Sequence, residues 1–192
     1  MSASALPASF FARPAALVAR DLVGCDLRID GAGGPIVETE AYDRTDPASH
    51  TFGGPTRRNA SMFGPAGHAY VYRSYGLHWC LNLVCEPGSA VLLRALEPRH
   101  DLAAMVARRG LDDPRRLCAG PGRLCQALGV TGAQDGLPLD RAPFALTLGA
   151  PGGDVVADRR IGLTRAVETP WRFLVAGSRF VSRPVVRKRA GG

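Results

Sequence analysis

The stretch IVETEAY, residues 36–42, decides how this sequence folds. Its side chains alternate along a predicted β-strand, so that Glu38, Glu40 and Tyr42 face one side and the smaller side chains between them face the other. The acidic side is either a solvated sheet face or part of a site. In a site, partly apolar surroundings would raise the pKa of a carboxylate, which could then deprotonate a water molecule that attacks an electrophilic carbon.

The residues on either side of this strand predict a helix, a hairpin and a long loop. Before it, residues 14–23 form an amphipathic helix, and residues 25–30 pair with the 36–42 strand through a glycine-rich turn at residues 31–34. After it comes an irregular segment, residues 43–67, that is rich in Gly, Pro, Asp and Asn. Segments of this length are usually either functional or disordered.

The rest of the chain predicts an α+β fold. Residues 68–84 contain two alternating strands that meet at Tyr75-Gly76, which is typical of a tight hairpin. Because strands and helices mix without a regular βαβ alternation, a mainly antiparallel sheet is expected. The remaining predicted strands are residues 90–96, 144–149, 154–157, 161–164 and 172–176, and the remaining predicted helices are residues 101–109 and 121–128.

Length and composition predict a single domain over residues 1–192, because the chain has neither repeats nor a linker. A basic tail at residues 183–192 is expected to fray. The 24 basic residues outnumber the 17 acidic ones, giving a net charge of +7 and a pI near 9.7. Such a balance suits a polyanionic partner, although a basic protein without one would have the same composition.

The five cysteines are expected to be buried thiols in a reducing compartment, because their odd number argues against a complete disulfide framework. A metal site from His78, Cys80 and Cys85 is conceivable, but no second ligand pair with zinc-like spacing accompanies it. We therefore expect no metal. No apolar stretch approaches the roughly 20 residues that a membrane helix needs, so no membrane partner is expected.

All four tyrosines lie within residues 42–75. Tyr70 and Tyr72 share one strand face, whereas Tyr75 has the opposite parity and precedes Gly76, where a side chain can project beyond the sheet. Such a cluster is either ordinary packing on half-buried strands or a set of aromatic surfaces. Aromatic surfaces that stack a nucleobase, together with one exposed ring that fills the gap, are what base flipping requires.

Two polar residues belong with the tyrosines. His50 lies in the long loop after Tyr42 and is either a surface residue or a ring that stacks on and hydrogen-bonds to a base. Asn82 lies on the returning strand of the hairpin, with Leu81 and Leu83 facing away. A buried amide needs partners, or it recognises the edge of a base.

Several ordered motifs resemble the alkyladenine (3-methyladenine) DNA glycosylase family, over most of residues 7–182. They follow one another in the order and spacing of that family, which makes the resemblance more specific than any single motif. The motifs are VETEAY at 37–42, SH at 49–50, RNASMF at 58–63, YVYRSYG at 70–76, Asn82, VLLRALEP at 91–98, GPGRLCQAL at 120–128 and RIG at 160–162.

The resemblance implies a role for Glu40 as the base that activates the attacking water. It implies that Tyr42, His50 and Tyr72 form the aromatic pocket around a flipped base. The reaction would be hydrolysis of the N-glycosidic bond of an alkylated, and in some cases deaminated, purine in duplex DNA. No cofactor is implied. The expected protein is a monomer that is intracellular and, in a bacterium, cytoplasmic and associated with the nucleoid.

The resemblance also implies how the protein would engage DNA. Tyr75 would insert into the minor groove and fill the vacated space. Asn82 would lie at the pocket floor and crowd the exocyclic amine of normal guanine, and Arg94 would lie near the site and the DNA backbone. The implied fold is a single α+β domain around a curved, mostly antiparallel sheet, from which a β-hairpin projects into DNA.

Three alternatives remain at this point. A glycosylase that also cleaves the strand usually needs an amine for a Schiff base, and Lys188 in the basic tail is the only lysine, so a monofunctional enzyme is expected. A non-catalytic nucleic-acid-binding module would explain the charge and the tyrosines but would give Glu40 no role. A Ser/His hydrolase is disfavoured because the sequence lacks a G-x-S-x-G motif.

Overall fold

Strand β2 (Ala32–Tyr42) is the centre of the sheet in the computed structural model, which describes residues 4–185. Its first residues pair with β1 (Asp26–Ile29), its last residues pair with β8 (Arg172–Val175) along the same side, and β5 (Ala90–Leu96) runs along the other side. The strands are β1 (Asp26–Ile29), β2, β3 (Ala69–Ser74), β4 (His78–Val84), β5 (Ala90–Leu96), β6 (Phe144–Thr147), β7 (Val155–Asp158) and β8 (Arg172–Val175).

The sheet has the main order β3-β4-β5-β2-β1-β6, with β8 joining β2 to β7. All the pairings of these strands are antiparallel, and the register between β2 and β5 shifts at a bulge between Ile36 and Thr39. Bulges bend and twist a strand, and the sheet curls into a half-barrel. The predicted α+β class, with a curved antiparallel sheet, is confirmed.

The three longer helices, α2 (Ala15–Leu22), α3 (Leu102–Arg109) and α5 (Pro121–Leu128), pack on the sheet. The N-cap of α3 is Asp101, whose side chain accepts a hydrogen bond from the Ala104 N–H, and Gly110 ends the helix in the left-handed conformation. Gly129 closes α5 in the same way. The helices are α1 (Ala8–Phe11), α2 (Ala15–Leu22), α3 (Leu102–Arg109), α4 (Pro114–Leu117) and α5 (Pro121–Leu128), with 3-10 turns at Ala60–Phe63 and Gly132–Gln134. The first and fourth helices and both 3-10 turns were not predicted.

The alternation of β2 divides its residues between the hydrophobic core and a buried polar layer. Val37 and Ala41 lie in the main core with α2, and the Thr39 hydroxyl donates to the Ala19 carbonyl at 2.8 Å. On the other side, Glu38 and Glu40 are completely buried. The solvated sheet face, one of the two interpretations of this strand, is therefore wrong.

The first hairpin turns earlier than the sequence predicts. The turn lies at Asp30-Gly31, both with positive φ, whereas Gly33 and Gly34 continue β2. A Cβ at Gly34 would lie 2.1 Å from the Glu97 carbonyl oxygen. Glycine is needed here because another backbone approaches closely, and the glycine-rich stretch at 31–34 is only in part a turn.

Residues 161–164 do not form the predicted strand. Instead of pairing in a sheet, the Ile161 N–H donates to Glu40 Oε1 at 2.7 Å. The buried carboxylate accepts a hydrogen bond from a backbone N–H that a β-strand could have donated to a neighbouring strand. The other predicted strands are confirmed with small shifts at their ends.

Arg183, where the basic tail was expected to begin, is still bonded to the sheet, because its carbonyl accepts a hydrogen bond from Arg172 Nη2 on β8. The rest of that predicted tail, residues 186–192 with Lys188, lies outside the described residues. Within residues 4–185, no helix is both long and apolar enough to cross a membrane.

Candidate active site

A cavity of about 570 Å³ opens between the long loop, the β3–β4 hairpin, β5, the start of α5 and the segment around residue 162. Six of the seven predicted site residues line it, although they come from separate parts of the chain. A cavity of this size suits a small organic ligand such as a purine. Its predicted residues are Tyr42, His50, Tyr72, Tyr75, Asn82 and Arg94.

Glu40, the seventh, lies behind the cavity lining and is held by three hydrogen bonds from the described residues. Its Oε2 accepts from the Tyr42 hydroxyl at 2.9 Å and from Arg94 Nη1 at 3.2 Å, and its Oε1 accepts from the Ile161 N–H at 2.7 Å. All three donors belong to residues that line the cavity. The carboxylate is thus fixed immediately beneath the surface that a ligand would touch.

Arg94 is buried and joins Glu40 to a second carboxylate. Its Nε donates to Glu38 Oε1 at 3.1 Å, while its Nη2 donates to the Ser182 hydroxyl at 3.2 Å. Its guanidinium is therefore oriented by protein atoms on three sides.

The walls of the cavity are aromatic. The rings of Tyr70 and Tyr72 stack with centroids 5.5 Å apart, and His50 meets Tyr72 edge to face at 4.5 Å. His50 Nδ1 lies 3.1 Å from the Tyr70 hydroxyl, which holds the imidazole against the tyrosines. A hydrogen bond of 2.8 Å from Asn59 Nδ2 to the His50 carbonyl fixes the loop backbone at the same point.

The aromatic groups are neutral at physiological pH. Burial raises the pKa of Tyr42 well above its usual range, and the neighbouring charge of Glu40 adds to the effect. Burial likewise raises the pKa of Tyr70, to about 12. The pKa of His50 is lowered, first because the surrounding protein removes part of the hydration of its ring and then because of the charge of Arg58.

The ring of Tyr42 is held from behind by a buried ion pair. The guanidinium carbon of Arg160 lies 4.8 Å from the Tyr42 ring centroid and 5.5 Å from that of Trp171. Arg160 also binds both carboxylate oxygens of Asp46, in the loop that leads to His50, and neither side chain is more than marginally exposed. One arginine therefore fixes both an aromatic wall and the beginning of the pocket loop.

The last two predicted residues differ in exposure. Asn82 is buried opposite Tyr70, and its Nδ2 donates to the Tyr70 carbonyl at 3.1 Å. Tyr75 is 92 % exposed at the tip of the β3–β4 hairpin, where it adopts a positive φ immediately before Gly76. The tip therefore presents an unpacked aromatic ring beside the cavity.

A sequence model of the family described as "Methylpurine-DNA glycosylase (MPG)" matches residues 9–179. This match spans every strand, the cavity and all seven predicted site residues. The chain belongs to this family.

Close relatives support the same assignment at high identity. The chain is 61% identical over 181 residues to a protein of Rhodopseudomonas palustris strain CGA009, a match that covers 93% of this chain and 88% of the relative. It is 60% identical to a protein of Granulibacter bethesdensis over 95% of this chain and 89% of the relative, and 58% identical to one of Agrobacterium fabrum strain C58 over 93% and 92%. Each relative is named "Putative 3-methyladenine DNA glycosylase".

A methylpurine-DNA glycosylase is an enzyme that acts on DNA. The family therefore decides between the enzyme and the non-catalytic binding module in favour of the enzyme. The five cysteines are free and buried, as predicted. Across residues 4–185, no three His, Cys, Asp or Glu side chains come together as a metal site would require.

The sequence did not identify four residues that shape the site. Tyr70 was placed on the correct strand face, but its contact with His50 spans 20 positions of the chain. Glu38 was noticed only as a partner of Glu40 on one face. Arg160 and Asp46 carried no signal beyond a short RIG match, because their ion pair joins segments 114 positions apart.

Proposed function

We propose that this glycosylase flips alkylated purines out of duplex DNA and hydrolyses the N-glycosidic bond with a water molecule activated by Glu40. The observation that carries the proposal is the position of Glu40, which is fully buried and bonded to three residues of an aromatic-walled cavity. A carboxylate can accept about four hydrogen bonds. With three donors from residues 4–185, Glu40 retains capacity for a further one from water.

The flipped base is proposed to enter between Tyr42 on one side and His50 with Tyr72 on the other. Aromatic stacking stabilises any purine, and it favours a cationic alkylated base most, because the face of an aromatic ring attracts positive charge. Asn82 is proposed to exclude normal guanine by crowding its exocyclic amine at the cavity floor. Selectivity also gains from the lower cost of unstacking a damaged base pair.

In the proposed hydrolysis, the C1′–N bond breaks and its electron pair leaves with the base, which neutralises an alkylated, cationic purine. The sugar gains oxocarbenium character, and the negative charge of Glu40 stabilises it. The water oxygen bonds to C1′ and its proton passes to Glu40. Arg94 is proposed to support the site by orienting Glu40.

Deaminated purines are proposed as slower substrates, because a neutral base is a poorer leaving group unless it is protonated. His50, which the structure brings to the cavity wall, has a lowered pKa and is therefore a neutral hydrogen-bond donor rather than an acid near pH 7. If the Tyr70 hydroxyl donates to His50 Nδ1, the Nε2–H is left to bind the base.

Tyr75 is proposed to enter the minor groove and to occupy the space that the flipped nucleotide leaves. Its ring is exposed, and the turn at Gly76 holds it beyond the end of the sheet. We further propose that the enzyme acts as a monomer and leaves an intact abasic site. The cavity lining contains no lysine within the described residues, and a lyase step needs an amine.

The test is base release from two duplexes, one alkylated and one carrying a single hypoxanthine, followed by alkaline cleavage of abasic sites. We expect rapid release from the alkylated DNA, slower release from the hypoxanthine duplex, and neither with Glu40→Gln. Release by Glu40→Gln at the wild-type rate would contradict the role of Glu40 as the base. Borohydride trapping on abasic DNA provides the second readout, and an efficient covalent adduct would contradict a monofunctional enzyme.

A further inference from the structure

We propose that Glu38 is a positioning residue for hydrolysis, which divides the guanidinium of Arg94 between two carboxylates so that Glu40 remains an effective base. This inference rests on the proposed role of Glu40. Glu38 lies two residues before Glu40 on β2, is completely buried and is not part of the cavity lining. It therefore acts through Arg94 and not on the substrate.

The hydrogen bonds around Arg94 show how its guanidinium is shared between the two carboxylates. Its Nε donates to Glu38 Oε1 at 3.1 Å, and only its Nη1 reaches Glu40, at 3.2 Å. Ser182 holds Glu38 in place, with its N–H donating to Oε2 at 2.5 Å and its hydroxyl to Oε1 at 2.8 Å. Although burial alone would lower the pKa of Arg94, the charges of Glu40 and Glu38 raise it, so Arg94 remains a cation.

The charges of this network sum to a negative value. Glu38 also accepts from Arg172 Nε at 2.7 Å, and Arg172 Nη1 donates to Asp158 Oδ2 at 2.9 Å. With Glu40 and Arg94, the group holds three carboxylates and two guanidiniums, which leaves one uncompensated negative charge. Without Glu38, two carboxylates would face two guanidiniums, and the network would carry no net charge.

The other ionisable groups around Glu40 do not alter this balance. Tyr42 and Tyr72 are neutral phenols, because burial raises the pKa of each and the charge of Glu40 adds to the effect. Burial likewise raises the pKa of the Cys80 thiol beside Arg94. Arg160, behind Tyr42, is compensated by Asp46. The charge of Glu38 is thus the principal offset to Arg94 at the catalytic carboxylate.

A carboxylate that faces a guanidinium alone is a weak base, because the opposite charge favours its ionised form. Glu38 offsets part of that field and takes up the Nε donor, so Glu40 can accept a proton from water. The uncompensated negative charge also stabilises a developing oxocarbenium ion. Removal of the Glu38 charge should weaken both effects while the cavity and the DNA surface stay unchanged.

The experiment is a pH profile of single-turnover release of 7-methylguanine, whose cationic base needs no protonation, so that the acidic limb reports the enzyme. For Glu38→Gln we expect a rate lower by about tenfold or more at neutral pH and an acidic limb at lower pH, with DNA affinity unchanged. For Arg172→Gln, which adds net negative charge, the acidic limb should move to higher pH. Glu97→Gln, outside the network, is the matched control and should leave the profile unchanged.

An acidic limb at the wild-type pH in both Glu38→Gln and Arg172→Gln would overturn the proposal and leave Glu38 a structural residue. If Glu38→Gln does not fold, the direction of the limb in Arg172→Gln decides the question. Glu40→Gln separates this inference from the proposed function. If Glu40→Gln keeps hydrolysis, the assigned base is wrong; if it loses hydrolysis while the two other profiles stay in place, only the role of Glu38 fails.

Discussion

The buried carboxylates behind the cavity, Glu38 and Glu40, and the tip of the β3–β4 hairpin are built in opposite ways. Glu40 is completely buried, and two of its three hydrogen-bond partners among the described residues are distant in sequence, whereas Tyr75 is 92 % exposed and is placed by the local turn at Gly76. A reacting group must be held in one geometry before substrate arrives. A group that enters DNA must stay free of the protein until then. Under the proposed function, the two regions would divide the chemistry from the engagement of DNA.

The sharpest way to test this division is to remove the base alone. We expect Glu40→Gln to lower the single-turnover rate on alkylated DNA by about 10²–10⁴-fold, the range of general base catalysis. DNA affinity should stay close to that of the wild type, because the carboxylate lies behind the cavity lining. A parallel loss of rate and affinity would break the comparison.

A second test measures how much the buried ion pair of Arg160 and Asp46 stabilises the folded protein. Asp46→Asn leaves the Arg160 guanidinium buried without its partner and should cost about 3–5 kcal/mol of unfolding free energy. Asp21→Asn is the matched control, because the same change in a partly exposed pair with Arg13 should cost about 0–1 kcal/mol. Urea unfolding measures both losses of unfolding free energy. Equal losses would show that the buried Arg160 pair stabilises the protein no more than the Arg13 pair does.

A change at the hairpin tip should reduce excision without affecting the stability of the protein. Tyr75→Ala removes a ring that packs on nothing in the protein, so stability should be unchanged. Excision should fall by about 10-fold or more, the equivalent of losing one stacked base. Binding to undamaged duplex should change less. The control is Leu148→Ala, an apolar residue that is similarly exposed but lies outside the cavity, and an equal loss in excision and undamaged-DNA affinity would count against insertion.

The smallest effect concerns His50, which lies in the wall of the cavity. Its pKa is lower in the folded protein than in the unfolded chain, so the unfolded state binds more protons as the pH falls through the unfolded value. Stability should therefore decline slightly on the acidic side. Comparing urea unfolding at about pH 7.5 and about pH 5.5 should show a smaller decline in His50→Gln. An identical pH dependence in both proteins would contradict the lowered pKa.

Local signals in the sequence predicted much of the scaffold. The alternation of residues 36–42 predicted a strand, and residues 101–109 and 121–128 were predicted as helices close to their observed ends. These predictions succeeded because periodicity and capping depend on neighbouring residues. The turn at 31–34 and the strand at 161–164 were predicted wrongly for the opposite reason, since distant groups, Glu97 and Glu40, determine the backbone there.

By itself, the sequence determined the fold class, the family resemblance and the positions of the residues that could carry the chemistry. Only the tertiary structure decided that Glu38 and Glu40 are buried, that Ile161 binds Glu40 across 121 positions, and that Arg160 supports Tyr42. A strand pattern fixes which side chains share a face, because that follows from backbone geometry. Whether such a face meets water, an arginine or a second carboxylate depends on segments that only folding brings together.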